Sequence, residues 1–366
     1  MSILHWLIAV TSLLCCSAAW RFTQRRKGWP RNSFLYNPEC KYTDLTVSIC
    51  AARRDKPYEP IIEGLYTPYF PFLIWIFRLG AVGCMRVCYL ALVALLTWWW
   101  GWAAAVVLLV SYPAMFADNR GNVDHIIGAW SGLSVALLLG GHPMVGALML
   151  ACAIAAKGYP AALALLWLGH SWSLTAMAAL SASLVLVPAR GLGGGIRESL
   201  AGLRRGNRAF YEWGILARNG PAFCTSHYCC DLFSALRLLH WWRGKDFDAE
   251  RWFRPCVSIA TFWATWLTLI AWSSPHTWVK VMALGMVQVV FPHVANDYKL
   301  MALAPGIILW LLAGAPGLLL GACLLLLWVP KAYWYPRPER TWASISCAIN
   351  PLLTIGATIG LWMGRF

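Results

Sequence analysis

Apolar runs broken by Gly, Pro and short polar segments repeat along almost the whole chain. Thirteen stand out, at 3–19, 66–83, 85–100, 101–117, 124–139, 142–157, 159–170, 172–188, 255–273, 276–292, 299–313, 314–329 and 344–364. A helix needs roughly 20 apolar residues to cross the hydrocarbon core of a bilayer. Several runs fall short, so the pattern predicts an all-α polytopic membrane protein with about 10–13 transmembrane helices. The run at 1–19 has no basic residues ahead of it and Trp20 behind it, which reads as an uncleaved signal-anchor, with a cleaved signal peptide as the alternative. The rest divides into a first loop, 20–65, a helical core, 66–188, a long basic loop, 189–254, and C-terminal helices, 255–366, all within one domain.

Composition agrees with a bilayer environment. The chain has 366 residues, 60% of them hydrophobic and only 12% charged. Its 24 tryptophans suit the interfacial belts, where an amphipathic ring sits at headgroup level. The 13 cysteines form no CxxC and no zinc-like spacing. Cys40 with Cys50, or Cys224 with Cys229 or Cys230, can pair if their loops face an oxidising compartment. Charge is concentrated: 20–65 and 189–254 hold 9 and 11 of the 30 Lys and Arg, and together 11 of the 15 acids. Cytoplasmic loops obeying the positive-inside bias would look like this. So would extracytoplasmic loops that handle anionic lipid headgroups. Nucleic acid is a poor partner, because the basic residues are tied to a membrane body and no recognition module is visible.

Candidate chemistry begins with Asp44, an acid one loop past the first apolar run, followed by Tyr58. A carboxylate held at the membrane surface can serve as a base toward a lipid-linked substrate, although Asp44 alone reads more readily as a solvated loop acid. Four further polar constellations follow. Ala117–His125 (ADNRGNVDH) sets Arg120, Asn122, Asp124 and His125 close to hydrocarbon, where such groups are costly unless paired or functional. Lys157–Pro160 (KGYP) places a lone lysine between two short runs, and Pro160 predicts a break that makes 142–170 a pair of half-spanning helices. Phe223–Leu232 carries His227 and Asp231 in the basic loop. Phe291–Pro305 carries His293, Asp297, Tyr298 and Lys299 at the mouth of a run.

The order of these segments resembles the C-type glycosyltransferase superfamily. Asp44 and Tyr58 come first, then YTPYFP at 66–71, Gly121–Asn122, Lys157–Pro160, a long loop and Asp297–Leu300. More closely it is similar to the polyprenyl-phosphate-mannose-dependent α-mannosyltransferases (glycosyltransferase family 87), over roughly 40–310. The resemblance implies a catalytic acid at Asp44 and motif residues at Gly121, Asn122 and Lys157. Family members often carry Ser-Pro-x-Ser-Trp-x-His-His at the late helix entry. Asp297 and Tyr298 replace the paired histidines here, and His293 or His227 are the candidates to take over part of their role.

The implied reaction is inverting transfer of a hexose, mannose favoured, from a polyprenyl-phosphate donor to a hydroxyl of a glycolipid or glycan acceptor. Asp44 takes the hydroxyl proton, and Lys299, Lys157, Arg120 and Tyr298 meet the leaving phosphate. No metal or other cofactor is expected, since no DxD-type nucleotide-sugar site is present. The implied location is a bacterial inner membrane, with the site facing outward. The alternatives are an O-antigen-type polymerase or ligase relying on loop Arg and His, a C-type transferase using another prenyl-linked sugar, and a lipid-linked sugar transporter or flippase. A transporter predicts internal repeats, and no convincing repeat is visible. If the two basic loops share a face, an even number of crossings must separate them. The run list gives seven, with 142–170 the first suspect for the surplus.

Overall fold

A computed structural model describes residues 43–59, 69–78, 82–210, 232–245, 247–290, 297–315, 317–328, 333–334 and 343–364. The fold is α-helical. In chain order the helices are α1 (Thr43–Ala52), α2 (Pro71–Arg78), α3 (Val82–Trp100), α4 (Trp102–Ala105), α5 (Tyr112–Arg120), α6 (Asp124–Leu139), α7 (Pro143–Ala156) and α8 (Ser171–Arg190). After these come α9 (Gly195–Phe210), α10 (Leu232–Trp242), α11 (Ala249–Ser273), α12 (Thr277–Val290), α13 (Ala304–Ala313), α14 (Leu318–Trp328) and α15 (Ile345–Met363). A π-helical turn, Val106–Val110, joins α4 to the segment before α5, and 3-10 helices cover Tyr159–Trp167 and Asp297–Leu303. Two-residue strands, Tyr333–Trp334 and Ala343–Ser344, pair antiparallel just before α15.

Among the described residues two helices, Ser171–Arg190 and Ala249–Ser273, are long and apolar enough to cross a membrane. The others are shorter: α7 and α12 have 14 residues each. Large apolar side chains nevertheless point outward on several helices, among them Val87, Val187, Phe262, Leu325 and Leu352. Apolar exposure of this extent is the kind found at protein–protein and membrane contact surfaces.

Contacts between distant residues fix the direction of each helix. Trp99 fills the space beside Gly140, and the Trp167 indole donates to the Pro143 carbonyl at 2.8 Å. The C-ends of α3, α6 and Tyr159–Trp167 therefore lie together with the start of α7. This is the indole end, and Trp98, Trp172 and Trp272, exposed by 90%, 81% and 74%, all stand there. At the opposite, loop end, the Gly193 amide donates to the Asp55 carbonyl at 3.1 Å. The turn after α1 and the turn before α9 thus touch. Between them the chain traverses the bundle along α3, the interrupted segment 102–120, α6, α7, the 3-10 helix Tyr159–Trp167 and α8: six passes, an even number.

The surplus run is 66–83, not 142–170. Its described residues hold the eight-residue α2 and, at 82–83, the first residues of α3. Both ends of α2 stay at the loop end. Phe70 lies against Gly158, and the Arg78 guanidinium donates to the carbonyls of Ala52 and Arg54, each at 2.7 Å. The pair flanking Lys157 makes a complete, if short, hairpin instead. Helices also appear where loops were expected, namely α1 in 20–65 and α9 and α10 in 189–254. Cys50 is exposed and carries a free thiol. The signal-anchor at 1–19, Cys40, Cys224, Cys229 and Cys230 lie outside the described residues.

Three glycines set the spacing around the centre. A Cβ on Gly128 would sit 2.7 Å from the Met301 carbonyl, one on Gly285 2.8 Å from the Ala302 carbonyl, and one on Gly306 2.6 Å from the Met282 Cα. Asp297–Leu303 and α13 are thereby held hard against α6 and α12.

Candidate active site

The polar centre is built on two chain breaks. Gly121, at φ 66°, ends α5, and the Asn122 amide donates back to the Ala117 carbonyl at 2.8 Å while the Gly121 amide donates to Asp118 at 3.1 Å. This is a Schellman closure, in which only the glycine accepts the left-handed backbone without strain. Asn122 then turns its side-chain oxygen onto the Asp124 amide, at 3.0 Å, and so starts α6. The second break is at Lys157, which is fully extended after α7. Pro160 has no N–H for the Ala156 carbonyl, so the α-helix stops and a 3-10 helix begins.

Together the breaks oppose Asp124 and Lys157. The Lys157 ammonium lies 3.0 Å from both Asp124 oxygens, and the Tyr159 hydroxyl donates to Asp124 Oδ1 at 2.6 Å. Asp124 is 1% exposed, at the N-terminus of α6, where the helix dipole favours a negative charge. A third Lys157 donor reaches Asn122 Oδ1 at 3.3 Å, and the ammonium stands 5.3 Å from the centre of the Tyr69 ring. Buried charge of this kind persists only when paired and hydrogen-bonded, as here. His125 Nδ1 is 2.6 Å from the Asn122 carbonyl, and its ring meets Tyr89 edge-on at 4.4 Å. Because a carbonyl only accepts, Nδ1 carries the proton.

A third segment closes the site. Lys299, on Asp297–Leu303, holds its ammonium 4.9 Å from the centre of the Tyr159 ring. Tyr159 is therefore shared: its hydroxyl serves Asp124, and its face serves Lys299. On the outer side Arg86 forks onto Asp118 at 3.2 Å, half-exposed. The site is recessed. Ser181 Oγ donates to the Ala151 carbonyl, which marks a common level on α7 and α8. From that level α8 continues about 13 Å to Arg190, whereas Lys157 is reached in about 9 Å, at 1.5 Å per residue.

Three of the four polar constellations thus meet, supplying Asn122, Asp124, His125, Lys157 and Lys299. Tyr58 takes a supporting place. Its hydroxyl donates to the Tyr69 carbonyl at 3.0 Å, and burial pushes that hydroxyl above the ordinary tyrosine range. Arg120 ends α5, while Asp297 and Tyr298 open the 3-10 helix that carries Lys299. Asp44 lies in the first turn of α1, which packs on α2 and touches α5 at the loop end. His227, Asp231 and His293 lie outside the described residues. Sequence reasoning gave no individual role to Asp124, Tyr159, Tyr69 or Tyr89. The signal was present for Tyr159, which stands two residues past an intramembrane-type lysine. Among the described residues no cluster of three or more His, Cys, Asp or Glu is placed to hold a metal ion.

No protein-family model matches the chain, and neither a curated protein nor a solved structure matches it. The resemblance to C-type glycosyltransferases is carried by the ordered motifs alone.

Proposed function

We propose that the chain is a polytopic membrane glycosyltransferase of the bacterial inner membrane. In this reading it moves a hexose, with mannose favoured, from a polyprenyl-phosphate donor to a hydroxyl of a glycolipid or glycan acceptor on the extracytoplasmic side. The supporting observation is the convergence of Lys157, Lys299, Asp124 and Tyr159 in a recess at the end where both basic loops meet. The belt of exposed indoles at the opposite end suits the other membrane surface.

The acceptor oxygen attacks the anomeric carbon, and the bond from that carbon to the phosphate oxygen breaks with its electron pair going to phosphate. Asp44 accepts the hydroxyl proton. Lys299 meets the phosphate as its charge grows. Lys157 has a different part, since its ammonium already binds both Asp124 oxygens and Asn122. It holds Asp124 and Tyr159 in place, and Tyr159 in turn sets the height of the Lys299 ammonium.

A second reading is favoured by the Asp124–Lys157 pair itself, because paired ionisable groups at membrane depth also mark transport pathways. One experiment separates the two. Purified protein incubated with polyprenyl-phosphate-mannose and a glycolipid acceptor should release polyprenyl phosphate and form a mannosylated acceptor. Movement of donor across vesicles without release of lipid phosphate would reject the transferase.

A further inference from the structure

Helix α9 follows α8, one of the two span-length helices, after a glycine turn in which Gly194 and Gly195 have φ of 94° and 73°. Its inner face is Ser199, Gly202 and Gly206, all buried. Ser199 donates to the Ala189 carbonyl at 3.1 Å, and a Cβ on Gly202 would lie 2.5 Å from the Tyr58 Cβ, so α9 is pressed flat onto the loop end. At 100° per residue, the rest of the helix sorts into two adjoining strips. Leu203, Ile196 and Leu200 form an apolar flank, with Ile196 and Leu200 exposed. Arg204, Arg197 and Arg208 form a basic row next to it, all exposed. Beyond that row Arg205 is engaged by Glu198.

We propose that α9 lies in the headgroup layer and docks on anionic phospholipid, with the Arg197–Arg204–Arg208 row on the headgroup phosphates and Ile196 and Leu200 among the upper acyl carbons. The proposal rests on the membrane reading of α8. Continuity with that helix puts α9 at the height of the interface. The adjoining strips are what an in-plane amphipathic helix requires, and each arginine near an anionic surface adds to its attraction.

The test uses the full chain, with an environment-sensitive fluorescent amino acid introduced at position 200 or, separately, at position 179, an exposed mid-α8 site. Each protein is reconstituted into phosphatidylcholine vesicles with and without phosphatidylglycerol. The expected result is blue-shifted emission at position 179 in both. At position 200 a blue shift appears with phosphatidylglycerol and is lost in high salt and in the R197E/R204E/R208E variant. Blue emission at 179 with water-like emission at 200 in both vesicles overturns the docking of α9 and leaves the bilayer reading intact. A blue shift at 200 that ignores phosphatidylglycerol and the arginines overturns the role of anionic lipid. Water-like emission at 179 removes the bilayer reading, and the proposal with it.

Discussion

Asp124→Asn and Lys157→Met should each destabilise the protein by about 3–5 kcal/mol, the range for breaking a buried ion pair from one side. The geometry explains why the amide is no substitute. Asp124 Oδ1 accepts from both Lys157 and Tyr159, whereas Oδ2 accepts from Lys157. An asparagine that keeps its oxygen toward Tyr159 points its NH2 at the Lys157 ammonium, donor against donor. The ammonium then keeps Asn122 Oδ1 but loses the Asp124 charge, with only 19% of its side chain exposed. Lys157→Met leaves the carboxylate with the Tyr159 hydroxyl and the α6 dipole alone. In the double variant neither charge remains, so its loss should be close to that of either single change. The coupling energy is then about 3–5 kcal/mol in magnitude, at or above the top of the range for interacting neighbours. Denaturant titration of the purified protein in micelles, run on wild type, both single variants and the double variant, measures it. Additive losses, with coupling below about 0.5 kcal/mol, would show that the pair contributes nothing as a pair.

Four further outcomes are expected. Asp44→Asn should lower turnover by about a hundredfold or more with normal expression, and near-wild-type turnover would remove Asp44 as the base. Lys299→Met should cut kcat more than it raises the donor KM, with Lys299→Arg retaining partial activity; wild-type behaviour of the methionine variant reduces Lys299 to a snorkelling cation. In intact cells, single cysteines in place of the exposed Lys56 and Arg204 should both react with an impermeant maleimide, since Asp55 and Gly193 touch, and protection of both until lysis would invert the topology. Gly128→Ala should cost about 1–3 kcal/mol through overpacking against the Met301 carbonyl, a loss visible as a lowered unfolding midpoint, and an unchanged midpoint would mean that Asp297–Leu303 yields freely.

The sequence reveals helices best where an apolar run is bounded by hard punctuation. The run 124–139 matches α6 residue for residue, and 142–157 and 276–292 match α7 and α12 within a residue or two, because Gly, Pro or a charge stands at each end. It fails at 66–83, where the apolar count is right but Arg78 is captured by the carbonyls ending α1, a contact 24 to 26 residues back that no local pattern encodes. It misses α9 because polar residues there imitate a loop until their spacing around a helix is considered. At the site, the Gly-Asn and Lys-x-Tyr-Pro breaks are legible one at a time. Their opposition is not, since Lys157 and Asp124 are 33 residues apart and meet only when α6 and α7 fold into a hairpin. Lys299 is further still, and its approach depends on Gly128, which carries no functional group at all.

The short helices around the site carry one more consequence. α7, with 14 residues, extends about 21 Å, against a hydrocarbon thickness of about 30 Å. A bilayer meeting this side of the molecule would thin toward it, whereas the 20 residues of α8 fit undeformed on the adjacent side. In the membrane reading, that asymmetry lowers the headgroup plane beside Lys157 and shortens the descent of a lipid-borne phosphate into the recess. On the transferase reading, acyl chain length then becomes a control on donor access, and turnover is expected to be faster in thin bilayers than in thick ones, with no residue changed.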